Sequence, residues 1–148
     1  ESPGLTAAPA IAVDVPRMLE EAGYKLEPKE NFQPRREGVV RFNELSRKEQ
    51  DEVVKQDPRY GRIICRCESI TEGEIVDAIH RGARTLDGIK FRARAGAGRC
   101  QGGFCQPFIM QILSRELGIP MSQVTKSGQG SEQIMFEAKE LFEDEVLS

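Results

Sequence analysis

Ile63-Ile64-Cys65-Arg66-Cys67 and Gly98-Arg99-Cys100-Gln101-Gly102-Gly103-Phe104-Cys105 hold all four cysteines of the 148-residue chain, as C-x-C and, after a gap of 32 residues, C-x4-C. The first pair lies in a segment that reads as extended and leads into a loop. The second lies in a loop, because glycine at that density does not stay helical. Two short helices fill the gap. Thr71 and Glu74 form a capping box, Ile75, Ala78 and Ile79 make an apolar stripe behind it, and Gly82 is a C-cap. Thr85 caps the next helix, which uses Leu86, Ile89 and Phe91 and ends before Gly96. A helical hairpin of this length folds back on itself and brings its two ends, and so both cysteine pairs, to one point.

Four thiolates converging on one point suit a [2Fe-2S] cluster, which takes two at each iron. In an extended C-x-C the two side chains are alternate residues and face the same side. Cys65 and Cys67 are thus placed to grip one iron, and Cys100 and Cys105 the other. Gly98, Gly102 and Gly103 let the backbone come close and offer N–H groups to the sulfurs, a lever on reduction potential. Local charge agrees: from Arg59 to Gln106 nine basic residues face five acidic ones, in a chain of net charge −3. Those cations would offset a negative cluster, although a solvated basic face is an equal reading of the charge alone. Zinc remains an alternative, because four thiolates also hold Zn²⁺ tetrahedrally, usually in C-x2-C to C-x4-C pairs. A thiol–disulfide pair is a third reading. Against it, no C-x-x-C occurs, and Cys65 and Cys67 are too close to bridge comfortably.

Outward from this centre, Ser46 and Glu49 form another capping box, and a short helix should run to about Lys55 before Asp57-Pro58 stops it. Pro107 suits the first turn of a helix whose buried face is Phe108, Ile109, Ile112, Leu113 and Leu117, ended by Gly118 and Pro120. Near the start, Ile11, Val15, Met18 and Leu19 recur at helical spacing. They predict a helix from about Ala7 to Ala22, bent or shortened by Pro16. Residues 24–44 read as an extended arm with a short strand over 38–42. Ser127-Gly128-Gln129-Gly130 reads as a flexible joint, and 131–148 as an acidic amphipathic helix with Ile134, Leu141 and Val146 on its apolar side.

The expected organisation is therefore mostly α: a helical remnant over 1–23, an arm over 24–61, a four-cysteine domain over 62–126 and a C-terminal helix over 127–148. Hydrophobic residues make up 39% and charged residues 30%, which suits a soluble globular protein, and with no Trp the core is mainly aliphatic. The acidic balance weighs against nucleic acid as a partner. No apolar run reaches the roughly 20 residues of a membrane span, and no secretion signal is read. A cytoplasmic location follows, or the inner face of a membrane reached through a partner, with thiols kept reduced. The opening Glu1-Ser2-Pro3-Gly4 lacks a Met and reads as an internal point of a longer protein. His80, Met110, Met121 and Tyr60 read as structural residues rather than ligands or relays.

Ile64-Cys65-Arg66-Cys67-Glu68, Thr71-Glu72-Gly73-Glu74-Ile75 and Gly98-Arg99-Cys100-Gln101-Gly102-Gly103-Phe104-Cys105 together resemble the bacterioferritin-associated-ferredoxin-like [2Fe-2S] domain, over roughly 62–118. The resemblance implies a small helical fold with the cluster near its surface, ligated by Cys65, Cys67, Cys100 and Cys105. Ser2-Pro3-Gly4-Leu5-Thr6-Ala7-Ala8-Pro9-Ala10-Ile11-Ala12 is similar to the last segment of FAD-dependent oxidoreductases of the glycerol-3-phosphate dehydrogenase type. That implies Gly4, Leu5 and Thr6 lying against FAD in an intact parent protein. An ordinary Ala-rich helix start is the plainer reading of that stretch. No G-x-G-x-x-G is present, so the main FAD-binding fold lies outside this chain, which alone is not expected to be catalytic. The implied role is to relay electrons from the parent's flavin to an acceptor protein or subunit. Other readings are a zinc-stabilised interaction domain, a regulatory ferredoxin-like module docked on another protein and, more weakly, a helix-turn-helix DNA binder.

Overall fold

The computed structural model describes residues 3–135 of the chain and is mostly α. Two units divide it, residues 1–37 and residues 38–148.

The first unit is α1 (Gly4–Glu21) followed by residues without helix or strand. The helix begins three residues earlier than its apolar spacing predicts. Neither Pro9 nor Pro16 ends it. Its end is a Schellman turn: Gly23 takes φ +91°, its N–H donates to the Glu20 carbonyl at 2.9 Å, and the Tyr24 N–H donates to the Leu19 carbonyl at 3.0 Å. No residue of α1 is buried, and Leu5, Ile11, Val13 and Met18 are exposed.

The second unit opens without the strand expected over 38–42. Phe42–Glu44 forms a 3₁₀ turn instead, and the Phe42 N–H donates to the Glu74 carboxylate at 3.3 Å. A lone strand here would have no neighbour to pair with, whereas the turn satisfies its amide on a helix cap. The Ser46–Glu49 capping box starts α2 (Arg47–Gln56) as predicted. Asp57 then caps a 3₁₀ turn, Pro58–Gly61. β1 (Ile63–Cys65) pairs antiparallel with β2 (Ile70–Thr71), Cys65 opposite Ile70. Three helices follow: α3 (Glu72–His80) from the Thr71–Glu74 capping box, α4 (Leu86–Ala93) capped by Thr85, and α5 (Gln106–Leu117) with Pro107 in its first turn.

α3, α4 and α5 pack on one another around Ile75, Ile79, Ile89 and Leu113, each at most 1% exposed. Fully burying a side chain of that size is worth about 1.5–3 kcal/mol. Two aromatics expected in this core are outside it. Phe91 is 81% exposed and Phe108 46%. Phe91 lies two residues past Ile89, roughly 200° around the helix at about 100° per residue, so it faces away from the side that Ile89 buries. In α5 the buried positions are Ile109, Met110, Ile112 and Leu113.

Residues 127–130 form an ordered turn rather than a loose joint. The Ser127 and Gly128 amides donate to the Ser131 hydroxyl at 2.9 and 3.1 Å, and the Lys126 amide donates to the Ser131 carbonyl at 2.8 Å. The helix expected over 131–148 is absent from 131–135, where Glu132 bridges Thr125 instead; the remainder, 136–148, lies outside the described residues. This segment also closes the start of α4, because the Thr125 and Lys126 carbonyls accept from the Leu86 and Asp87 amides at 3.1 and 2.9 Å. Those are two of the donors that a helix N-terminus leaves unpaired.

Gly73, in the first turn of α3, lies under the Tyr60 ring; a β-carbon there would come within 2.5 Å of it. Gly73→Ala should therefore lower stability by about 1–3 kcal/mol through overpacking, despite a helix-propensity gain of up to about 1 kcal/mol. Urea unfolding of the two proteins measures the difference.

Candidate metal centre

Each cysteine loop is fixed by ordinary hydrogen bonding before any metal is considered. The β1–β2 pairing holds Cys65 at the end of β1, 1% exposed. Cys67 lies just past the strand in a turn, where Ser69 takes φ +56°, and is exposed. The extended C-x-C of the sequence reading thus ends at its first cysteine, and the two side chains do not alternate along one strand. The Arg94 guanidinium spans from the end of α4 to the Glu68 carboxylate at 2.9 Å and ties this turn down.

The second loop is pinned by Gln101, whose side-chain amide donates to the Ala97 and Gly98 carbonyls at 3.1 and 2.9 Å. Lys90 donates to the oxygen of the same amide at 3.3 Å. Gln101 and Gly102 both take positive φ, +49° and +89°, which curls the backbone between Cys100 and Cys105. Cys105 is the N-cap residue of α5 and 2% exposed; its sulfur makes no capping bond and so stays available as a ligand. Gln101 was not singled out in the sequence reading. A glutamine in a glycine-rich loop carries no signal until the loop's shape turns its amide onto the loop's own carbonyls.

All four cysteines are brought together, as two pairs. Cys67 Sγ lies 3.5 Å from Cys100 Sγ, at the surface. Cys65 and Cys105 hydrogen-bond in the interior, and Cys100 lies close enough to Cys105 to act on its charge. Cys100 is held below the ordinary thiol range, first by the hydrogen bond from Cys67 and then by the Phe104 and Gly102 amides. Of the glycines expected to offer N–H groups to the sulfurs, Gly102 does so, whereas the Gly103 amide donates to the Cys100 carbonyl at 3.0 Å. Burial, followed by the charge and hydrogen bond of Cys65, pushes Cys105 up to about 12.

This donor set fits a two-iron cluster. Thiolates arriving in pairs match two irons that each take two. Among the described residues no three His, Cys, Asp or Glu side chains are grouped to hold a single ion. The backbone makes room as well: a β-carbon on Gly98 would collide with the Cys67 β-carbon. Gly4, Leu5 and Thr6 form the first turn of α1, in the other unit. His80 ends α3 as an exposed residue 3.4 Å from the Glu116 carboxylate and takes no part in the centre.

Comparison with known proteins agrees with this geometry. Residues 63–115 match the BFD-like [2Fe-2S] binding domain. A glycerol 3-phosphate dehydrogenase of Caloramator mitchellensis is 58% identical over 88% of this chain and 28% of its own length. An anaerobic glycerol-3-phosphate dehydrogenase subunit A1 of Haloferax volcanii is 38% identical over 37% of this chain and 9% of its own. The nitrite reductase (NADH) large subunit of Escherichia coli K12 is 39% identical over 36% of this chain and 6% of its own. The chain thus spans less than a third of the length of each of these relatives. No solved structure matches. Residues 63–115 belong to the BFD-like [2Fe-2S] binding domain family and form an iron–sulfur domain of the kind found in oxidoreductases.

Two measurements test the centre. In metal-free, reduced chain at about pH 8, iodoacetamide should label Cys67 and Cys100 before Cys105, because both are less buried, and Cys100 is held low while Cys105 is pushed up; peptide mass spectrometry over time gives the order. Gly98→Ala should keep the helical circular dichroism and lose most cluster incorporation, read as iron and sulfide per chain.

Proposed function

We propose that this chain is an electron-transfer module, the C-terminal region of an FAD-dependent dehydrogenase of the glycerol-3-phosphate type. Cys65, Cys67, Cys100 and Cys105 hold its [2Fe-2S] cluster. The observation that carries the reading is the pairing of four thiols across two loops, one pair buried and the other at the surface. When bound, the cluster supplies one-electron chemistry. The chain's own part is to place it. The buried pair and the α3–α5 core fix its position, the Gly102 and Phe104 amides stabilise negative charge on sulfur, and the surface pair leaves one edge open to a partner.

The glycerol-3-phosphate dehydrogenase relatives support the identity of the parent. So does α1. An 18-residue helix with two internal prolines and no buried residue has no packing of its own to hold it, and most helical stability in proteins comes from packing. Its apolar residues suit the rest of the parent flavoprotein. The first intrahelical acceptor, the Pro3 carbonyl, takes the Ala7 amide at 2.9 Å. The Gly4, Leu5 and Thr6 amides are therefore the unpaired donors of a helix N-terminus, suited to an anionic flavin ring of the parent. Flavin in the parent delivers electrons and an acceptor protein or subunit receives them, while this chain alone dehydrogenates nothing. No helix of the described residues is long and apolar enough to cross a membrane; the reading places the module in the cytoplasm, or at the inner face of a membrane through its partner.

Anaerobic purification followed by iron, sulfide and zinc assays tests this. The expected product is red-brown, carries about two irons and two sulfides per chain, and bleaches with dithionite. A colourless chain holding zinc alone, still colourless after anaerobic reconstitution, would sink the electron-transfer reading.

A further inference from the structure

Among the described residues, three that are not glycine take a positive φ: Ser69 at +56°, Arg94 at +63° and Gln101 at +49°. Ser69 and Gln101 stand in the two cysteine loops, and Arg94 caps α4 and reaches Glu68, the neighbour of Cys67. That region of φ favours glycine, because a β-carbon crowds the backbone there. Strain of this kind gathers at functional sites. Gln101 is the plainest case. Gly102 and Gly103 follow it directly, so the loop uses glycine freely, yet position 101 carries a long side chain.

That side chain crosses between the ligand loops. Its Nε2 donates to the Ala97 carbonyl at 3.1 Å and to the Gly98 carbonyl at 2.9 Å. The Gln101 backbone N–H donates to the same Gly98 carbonyl at 2.8 Å, so one residue binds that oxygen twice. Gly98 is also where the second loop touches the first, with no room for a β-carbon against that of Cys67. Gln101 itself follows Cys100, whose sulfur lies 3.5 Å from that of Cys67. One amide thus fastens the backbone that abuts one outer cysteine to the residue beside the other. Lys90 of α4 donates to its Oε1 at 3.3 Å. A cation holds only the oxygen end, which turns the NH₂ end onto the carbonyls.

We propose that Gln101 is a positioning residue for the outer cysteine pair: its amide, oriented by Lys90, holds Gly98 against Cys67 and so sets the approach of Cys67 to Cys100 as metal ligands. The inference rests on the reading of the four cysteines as ligands, and adds the group that keeps the exposed half of the site in shape. The inner half has other supports, because Cys65 ends β1 and Cys105 begins α5. Cys67 and Cys100 stand on loops, where the Gln101 amide makes the bonds that a helix or strand would otherwise supply.

Gln101→Gly separates positioning from a merely structural role. Glycine relieves the backbone at this φ, so the thermal midpoint should hold or rise although the amide is gone. In full chain already shown to hold iron and sulfide, iron release to a chelator should nonetheless quicken about tenfold or more, the scale of lost outer-shell partners. Gln101→Glu, of equal length but without the donor, should do the same. Lys90→Met should quicken release less, and should add nothing in the Gln101→Gly background, because it acts through the amide. Metal-free, reduced chain gives a second reading. Diamide takes one hydrogen from each of two thiols, joins the sulfurs and becomes a hydrazine. Peptide mass spectrometry should find the Cys67–Cys100 bridge forming several-fold more slowly in Gln101→Gly than in the native chain. Iron held as long by Gln101→Gly as by the native chain, faster release only alongside a lowered midpoint, an additive Lys90→Met effect or an unchanged bridging rate would each overturn the proposal. The bridging measurement needs no cluster, so it stands if the electron-transfer reading fails, and that reading stands if Gln101 proves idle.

Discussion

The centre exists because α3, α4 and α5 close on a shared aliphatic core. Cys65 and Cys105 are 40 positions apart in the chain, and nothing local joins them. Ile75 and Ile79 on α3, Ile89 on α4 and Leu113 on α5 bury completely against one another, and that burial, worth about 1.5–3 kcal/mol for each side chain, offsets the entropy of closing the loop between the cysteine pairs. β1 enters this packing with Cys65 at its end, and α5 leaves it with Cys105 at its cap. The buried thiol pair is therefore part of the core, and the outer pair hangs from it on two short loops.

Polar contacts then set the fine geometry. Glu72, 4% exposed, takes Arg62 at 2.9 Å and Arg115 at 2.7 Å, joining the segment before β1 to the last turns of α5. A buried carboxylate is tolerated only when paired. Among the described residues no buried side-chain nitrogen or oxygen lacks a partner. Arg94 on Glu68 and Gln101 on its own loop carbonyls hold the ligand loops in the same way. Their work is geometric, since exposed ion pairs add little stability. What they secure is the position of Cys67 against Cys100.

On the proposed reading, this division explains how one small unit serves two opposite needs. A cluster must be shielded to be kept and reachable to be used. The inner pair meets the first need: burial that pushes the Cys105 thiol up to about 12 also keeps solvent away from the ligand. The outer pair meets the second, with Cys100 held low by hydrogen bonds and Cys67 at the surface. α1 belongs to a different problem. None of its residues is buried, and Leu5, Ile11, Val13 and Met18 are exposed.

Local chemistry made much of this legible in the chain itself. The capping boxes at Ser46–Glu49 and Thr71–Glu74, the cap at Thr85, Pro107 and the stop at Gly118 each act through neighbours within a few residues, so they read directly as helix boundaries. The cysteine spacing and its flanking residues carried the metal chemistry for the same reason. What required the tertiary structure was anything decided by residues far apart. The exposure of Phe91 and Phe108, the turn at Phe42 in place of a strand, and the ordered segment 125–132 all depend on which face of a helix meets a neighbour or which distant carbonyl meets an amide. The pairing of Cys65 with Cys105 and of Cys67 with Cys100 is the clearest case. Spacing shows which cysteines are close in sequence, and the folded chain also brings together sulfurs of different loops, because packing of the helices sets which loops face each other.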